Sequence, residues 1–362
     1  MLVVNKIVVL LLFMVVFVAG CSSPQTKRAD LDSDRVAEES RRQKELAFEA
    51  RVEYLTRLHN LSFPLLLSAK EFCNENVVPA SGIGLVNISM LGEAFSEVAD
   101  KYNITDTLQV NIVSPGSPAE KAGILKGDEI SSINGIDIPK GEKALIKYTE
   151  VYAAEAEGNN QLTFTMLRDG KVIDINLIPE TSCKYGMILV GSPAVNAFAD
   201  GDNVYMTKGM MRFAKDDVEL SLVISHEIAH NAMGHIEAKK TNFWLGSILD
   251  IAAAVYGVDT QRMFGRLASQ AYSQEFEAEA DYVGLYILAR DNQKIEHAPL
   301  FWRRMAAEFP GNIKNNHAAT HPATSERFVA LEQTVTEIKN KQDSGIPLNP
   351  EMKVKNSALG TK

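Results

Sequence analysis

The sequence has few cysteines, few aromatic residues and no excess of positive charge. Of its 362 residues, 3 are cysteine, 7% are aromatic and 23% are charged, and the formal net charge is −9. An acidic chain lacks the basic surface that neutralises phosphates, so we expect no nucleic-acid partner. Apolar residues make up 46%, which excludes wholesale disorder and leaves enough chain for about two globular domains.

Long apolar runs are also scarce, and the clearest one lies at the N-terminus. It extends from Ile7 to Val18, which is too short to span a bilayer and is typical of a signal peptide. The following segment, Val18 to Cys21, resembles the bacterial lipobox, in which the cysteine is lipidated and starts the mature chain. We therefore expect residues 1–20 to be a lipoprotein signal peptide and Cys21 to carry a lipid anchor in a membrane. An ordinary secretory signal with an incidental cysteine is the alternative.

This N-terminus predicts a location in the cell envelope. By resemblance to lipoprotein sorting, Ser22 favours the outer membrane, with the body of the protein facing the periplasm. An oxidising compartment of this kind allows Cys73 and Cys183 to form a disulfide. Two buried free thiols are the alternative.

Residues 21–79 are predicted to form a tether followed by an amphipathic helix over 35–59, whose charges form a solvated face.

Short β-type runs and tight-turn signals then fill residues 80–180. Ser117 and Glu120 form a capping box, and Asn134-Gly135 predicts a tight turn. The run from Gly116 to Ile130, followed by that turn, resembles the PDZ domains of bacterial proteases.

The PDZ resemblance implies a peptide ligand. Domains of this family add an extended peptide or a C-terminus as a strand at an open sheet edge. The candidate carboxylate-binding loop is Gly82, Ile83, Gly84 and Leu85. A plain β-turn is an equally good interpretation of these four residues.

The pattern His-Glu-x-x-His at residues 226–230 carries the chemistry of the second region. Two histidines four residues apart lie on one face of a helix, and neutral imidazoles suit Zn²⁺. We assign His226 and His230 as metal ligands and Glu227 as the residue that reaches a water beside the metal. A buried helix with two hydrogen-bonded histidines is the alternative. Asp216 and Glu219 are a candidate capping pair before this helix, and Gly234 is its candidate end.

A third ligand must come from another element. Residues 268–290 read as a helix in which Glu277 and Asp281 share one face, an unfavourable pairing unless a cation lies nearby. We predict that Glu277 is the third ligand and that Asp281 accepts a hydrogen bond from a ligand histidine. Glu279 is expected to be solvated, and His235 to cap the helix or lie on the surface.

Together these motifs resemble the HtpX/BepA/LoiP-like gluzincin metallopeptidase family. Its Glu-x-x-x-Asp pattern falls on residues 277–281, and its His-Pro pattern with a downstream arginine falls on His321 and Arg327. The resemblance implies that His321 donates to the oxyanion, and we expect Arg327 to position that loop or to neutralise a carboxylate. The family's strand before the zinc helix falls on Asn196, Ala197 and Phe198, which are expected to offer a strand edge to the substrate. Gln274 departs from an arginine often found there, and the interrupted apolar stretch 243–256 is too short to span a membrane.

The sequence thus predicts an α+β chain. A small PDZ-like β-barrel or sandwich at 80–180 precedes a mainly helical zincin domain with a small edge-strand sheet at 181–342, and a flexible tail follows at 343–362. The expected function is that of an envelope zinc endopeptidase, with one Zn²⁺ per chain, acting on unfolded or misassembled polypeptides. The alternative is a PDZ-bearing lipoprotein that serves mainly as a binding or chaperone-like scaffold.

Overall fold

The structure is a computed structural model and describes residues 26–27, 29–241, 273–308 and 325–352. The chain divides into two units, Met1–Glu45 and Leu46–Lys362. The described part of the first unit holds the start of helix α1, where Arg41 and Glu45 form an ion pair one turn apart. Among the described residues, no helix combines the length and the apolar character needed to cross a membrane.

The helices are α1 (Ser33–Ser68), α2 (Glu93–Ser96), α3 (Pro118–Ala122), α4 (Ala144–Gly158), α5 (Lys208–Phe213), α6 (Asp217–Ala232), α7 (Ser273–Arg290), α8 (Ala298–Glu308) and α9 (Ser325–Asp343). The strands are β1 (Val77–Ala80), β2 (Ile83–Val86), β3 (Gln109–Val113), β4 (Glu129–Ile133), β5 (Ile136–Asp137), β6 (Leu162–Arg168), β7 (Lys171–Leu177), β8 (Glu180–Cys183), β9 (Gly186–Val190), β10 (Ala197–Ala199) and β11 (Asn203–Thr207).

Helix α1 is longer than its sequence pattern predicts. It continues nine residues past 59, through Pro64, although proline removes a helix hydrogen bond. Phe63, Leu65 and Leu66 beside this proline are buried, and burial of each such side chain stabilises by about 1.5–3 kcal/mol. Burial of this end therefore outweighs the cost of the proline.

The PDZ-like region is built on an antiparallel sheet in the order β2-β3-β4-β6-β7, with β5 paired to β4. Its core is a cluster of buried apolar side chains that includes Phe164, Ile130 and Tyr148. The order has two ends, β2 and β7, so within the described residues the sheet stays open. The barrel that the sequence suggested is therefore not closed.

The strands that precede and follow the PDZ-like sheet pair with each other. Strand β1 pairs antiparallel with β8, and Val77 lies opposite Cys183. Beside this pair, Cys73 and Cys183 form a disulfide. Of the two alternatives for these cysteines, the structure contains the bonded one.

A second core lies under the C-terminal helices. Helix α6 packs along α7 and also contacts β10 and β11 of a three-stranded sheet in the order β10-β11-β9. Strand β11 runs parallel to β9 and antiparallel to β10. This arrangement agrees with the predicted helical region and small sheet.

The segment after α9 is anchored as far as residue 351. Arg290 Nε donates to the Leu348 carbonyl at 2.8 Å, and Lys341 Nζ donates to the Asn349 carbonyl at 2.8 Å. The Glu351 amide donates to the Tyr282 hydroxyl at 3.0 Å. The flexible tail predicted from residue 343 is thus wrong for this stretch, because side chains of α7 and α9 bind its backbone.

Candidate metal centre

Helix α6 presents two histidines to one point. Asp216 accepts from the Glu219 amide at 2.9 Å, and the Glu219 carboxylate accepts from the Lys215 amide at 2.7 Å, which is the predicted capping box. The two Nε2 atoms of His226 and His230, one turn apart on the buried face, lie 3.1 Å from each other. The capped helix therefore aims both imidazoles at a common site.

Helix α7 brings the third donor. The Glu277 carboxylate lies 3.3 Å from His226 Nε2 and 3.4 Å from His230 Nε2, and all three residues are buried. Zinc bonds to nitrogen and oxygen are about 2.0–2.2 Å long, so neighbouring ligands of a tetrahedral ion lie about 3.3–3.5 Å apart. Two imidazoles and one carboxylate at these separations fit Zn²⁺ and leave the fourth position of a catalytic site to water or substrate.

Close contact between α6 and α7 makes this convergence possible. A Cβ added to Gly284 would lie 3.2 Å from the His226 backbone nitrogen and 3.3 Å from the Ser225 carbonyl carbon. One turn earlier, Ala280 is fully buried. Small residues at these two positions allow the α7 backbone to approach the helix that carries the histidines.

The second ring nitrogen of His226 faces a buried charge network. Its Nδ1 lies 3.0 Å from Asp281, and the Arg327 guanidinium holds Asp281 with two hydrogen bonds, one of them at 2.8 Å. Arg327 also lies 3.8 Å from Glu277 and 4.5 Å from the Trp302 ring centre. The structure thus brings Asp281 and Arg327 together behind the site, and Arg327 contacts two carboxylates directly.

These contacts shift the ionisation of the group. Burial lowers the pKa of His226, but its hydrogen bonds to Asp281 and Glu277 outweigh burial and raise the pKa to about 9. Burial alone would raise the pKa of Asp281, yet the charge of Arg327 holds it below its usual range. Burial would lower the pKa of Arg327, but the nearby carboxylates raise it above its usual value. Asp281 contributes most, followed by Glu277 and Glu227.

The second ring nitrogen of His230 faces a different partner, which the sequence analysis missed. His235 Nδ1 lies 2.9 Å from His230 Nδ1, and His235 Nε2 lies 2.9 Å from the Glu279 carboxylate. The prediction of a surface His235 is therefore wrong, because His235 is only 1% exposed. Glu279 is 45% exposed at its side chain, which agrees with the predicted solvated position, but its carboxylate also binds the His235 ring.

Glu227 lies between the two histidines in sequence and is 1% exposed. Its carboxylate is close enough to Arg327 to favour the charged guanidinium. A carboxylate at this position of the helix fits the role of proton acceptor for a water at the metal.

The predicted substrate edge is a short strand beside α6. Ala197 and Phe198 lie in β10, the outer strand of its sheet within the described residues, and Asn196 immediately precedes it. Asn231, the residue after His230, accepts from the Gly201 amide at 2.8 Å and donates to the Asn203 carbonyl at 3.1 Å. The helix that carries the histidines is therefore bonded to the hairpin turn that follows β10.

The candidate PDZ loop is mostly a strand. Ile83, Gly84 and Leu85 belong to β2, an end strand of the open sheet, and Gly82 precedes them with φ +79°. A Cβ at Gly82 would lie 2.3 Å from the Ser117 Cβ, so only glycine fits at this turn. The carboxylate-binding role of these four residues stays a prediction.

Three predicted features lie outside the described residues. They are the signal peptide with Cys21, the apolar stretch 243–256, and His321.

Comparison with known proteins agrees with this geometry. The model of Peptidase family M48 matches residues 171–335, and a PDZ domain model matches residues 109–153. A mitochondrial metalloendopeptidase OMA1 from Schizosaccharomyces pombe is 29% identical over 170 residues, which are 44% of this chain and 50% of that protein. The β-barrel assembly-enhancing protease of Escherichia coli K12 is 24% identical over 136 residues, 33% of this chain and 28% of that protein.

Among solved structures, the PDZ domain of HtrA3 bound to a phage-derived ligand shares 21% identity with this chain. It covers 29% of this chain and 88% of its own, with a TM-score of 0.22. The chain thus spans half or less of the curated relatives described above. The M48 match covers the helices that bring His226, His230 and Glu277 together, and the PDZ match precedes it, so this chain is similar to peptidase family M48 over residues 171–335 and to PDZ domains over residues 109–153.

Proposed function

We propose that the protein is a zinc-dependent endopeptidase. The observation that carries the proposal is the convergence of His226, His230 and Glu277 within 4.8 Å of one another, with the buried Glu227 on the same helix. The relatives named metalloendopeptidase and protease support hydrolysis of peptide bonds.

The side chains of this site divide the work. When bound by its three ligands, zinc supplies a Lewis acid that lowers the pKa of water and polarises the scissile carbonyl. Glu227 accepts the proton of the attacking water at its carboxylate and returns it to the leaving amine. Asp281 and His235 hold the two imidazoles from behind, and Arg327 keeps Asp281 charged. By the family resemblance, His321 donates a hydrogen bond to the oxyanion.

Strand β10 supports an unfolded polypeptide as the substrate. An edge strand binds an extended chain through backbone hydrogen bonds, which are common to all sequences. Phe198 at this edge is stacked on Tyr205 with ring centres 4.6 Å apart, which leaves its ring a fixed apolar surface. This edge favours broad specificity for extended segments over recognition of one side chain.

The setting that we propose is the bacterial cell envelope. The lipobox-like Cys21 supports a lipid anchor, and the Cys73–Cys183 disulfide is typical of an oxidising compartment such as the periplasm. The E. coli relative is named a β-barrel assembly-enhancing protease, which supports β-barrel proteins as a class of substrate. The open end strand β2 supports a peptide or C-terminal ligand at the PDZ domain.

Zinc analysis and casein hydrolysis on the purified mature chain test this function. Wild type should hold one zinc per chain and cleave unfolded casein, and a chelator should stop cleavage. The Glu227→Ala variant should retain zinc but lose about 10²–10⁴-fold in rate, because it lacks the proton acceptor. Glu237→Ala is the matched control, since Glu237 is exposed and pairs only with a surface lysine among the contacts described.

Two outcomes would contradict the proposal. Wild-type protein without zinc after metal loading would refute the site, and undiminished cleavage by Glu227→Ala would refute the assigned proton acceptor. If Glu227→Ala restored the envelope of a strain lacking the protein, the scaffold function would replace proteolysis as the main role.

A further inference from the structure

His235 reaches the metal centre from beyond the end of α6. Gly234 adopts φ +68°, which ends the helix and turns the following residue back toward it. The His235 ring lies 5.0 Å from the His230 ring and stacks on Phe276 at 4.7 Å, so both its neighbours fix its orientation. A buried ring held on two sides is placed by the fold and is not a surface residue that happens to lie close.

The protons along this chain of contacts have one consistent arrangement. If His230 offers the lone pair of Nε2 to a metal, its neutral ring carries the proton on Nδ1. That proton faces His235 Nδ1 at 2.9 Å, which must then accept it. His235 therefore carries its own proton on Nε2, where the Glu279 carboxylate accepts it at 2.9 Å.

We propose that His235 and Glu279 are positioning residues that hold His230 in the tautomer and orientation that bind zinc. The inference rests on the proposed zinc site, and it adds His235 and Glu279, which do not bind the metal themselves, to the residues on which that site depends. His226 is held by a carboxylate directly, whereas His230 is held through an intervening imidazole that ends on a partly exposed carboxylate. Partners of this kind behind a ligand contribute about 10–100-fold to metal affinity.

Zinc affinity, measured by competition with a chromogenic chelator, tests the assignment. His235→Phe keeps an aromatic ring against Phe276 but offers no acceptor to His230, so its zinc affinity should fall about 10–100-fold. Glu279→Ala should show a smaller loss, and Glu279→Gln should recover most of it because the amide oxygen still accepts from His235. The double variant His235→Phe/Glu279→Ala should lose no more than His235→Phe alone, since the two residues act in series.

Two further measurements separate this role from a structural one. The thermal midpoint of zinc-free Glu279→Ala should stay near that of the wild-type apoprotein, because the Glu279 side chain is 45% exposed, while the increase in midpoint produced by zinc should shrink. The visible spectrum of the cobalt-substituted Glu279→Ala protein should differ from that of wild type. Glu275 is exposed and lies one turn before Glu279, so Glu275→Ala is the matched control. This variant should change neither the increase in midpoint produced by zinc nor the cobalt spectrum.

Unchanged zinc affinity in both His235→Phe and Glu279→Ala would overturn the inference, and so would additive losses in the double variant. If His235→Phe does not fold, Glu279→Ala against Glu279→Gln decides the question, because Glu279 is partly exposed. These results leave the proposed function standing as long as wild type binds zinc and His230→Ala does not. Failure of wild type to bind zinc would refute the proposed function itself.

Discussion

Removal of the Arg327 guanidinium should destabilise the zinc-free protein severely. Its side chain and that of Asp281 are each 5% exposed, and Glu277 lies 3.8 Å away on the other side. Removing one partner of a buried ion pair costs about 3–5 kcal/mol, since the remaining charge stays desolvated, and Asp281 would keep His226 but lose both hydrogen bonds from the guanidinium. Arg327→Met, which keeps the length and the apolar contact with Trp302, should therefore lower the free energy of unfolding by about that amount. That loss is a large share of the 5–15 kcal/mol typical of folded proteins.

Denaturant unfolding of the apoprotein is the measurement, because zinc would add its own stabilisation. Arg327→Lys should fall between wild type and Arg327→Met, since lysine keeps the charge but cannot donate two parallel hydrogen bonds to Asp281. Asp281→Asn combined with Arg327→Met should cost less than the sum of the single variants, with a coupling of about 1–3 kcal/mol. A loss below about 1 kcal/mol for Arg327→Met, or strict additivity, would refute the buried network as the source of stability.

Four further predictions concern the scaffold of the site. Cys73→Ser/Cys183→Ser opens a loop of 110 residues, so denaturant unfolding should show that the free energy of unfolding falls by about 2–4 kcal/mol. A reducing agent should cause the same loss in wild type, and equal unfolding midpoints with and without the disulfide would contradict this prediction. Gly209→Ala should cost about 1–3 kcal/mol by thermal unfolding, because the new Cβ would lie 2.1 Å from the Ala194 carbonyl oxygen. Asp216→Ala should cost about 1 kcal/mol through loss of the α6 cap, and Asp216→Asn should restore it. Burial would raise the pKa of Asp200, but hydrogen bonds from the amides of Asp202 and Asn203 and from the Tyr205 hydroxyl lower it to about 2. The ionised Asp200 carboxylate therefore stabilises the fold above about pH 4, and this stabilisation is lost as the pH falls toward 2. Unfolding measured across this pH range should show the dependence in wild type and not in Asp200→Asn.

Local sequence patterns predicted most of the metal centre. The four-residue spacing of His226 and His230 determines that they share a helix face. Asp216 and Glu219 mark the start of that helix through local hydrogen bonds, which do not depend on tertiary contacts. The spacing of Glu277 and Asp281 similarly placed two carboxylates on one face, and the structure turns that face toward the histidines.

The parts that could not be predicted depend on tertiary contacts. His235 follows a helix-ending glycine, which normally leads into a surface loop, and only the fold shows that the chain turns back to His230. Pro64 would ordinarily end α1, and only burial of its neighbours explains why the helix continues. The stretch 344–351 has no periodicity, so the backbone bonds from Arg290 and Lys341 leave no signal in the sequence.

The missing side chain of Gly284 has a consequence for how closely α6 and α7 can pack. The backbone of α7 approaches the helix that carries the histidines at this point, with no Cβ between them. An alanine Cβ would lie 3.2 Å from the His226 nitrogen, so the two helices would have to separate by a few tenths of an ångström. The spacing between the two imidazoles and the Glu277 carboxylate thus depends on a residue whose side chain is a single hydrogen atom.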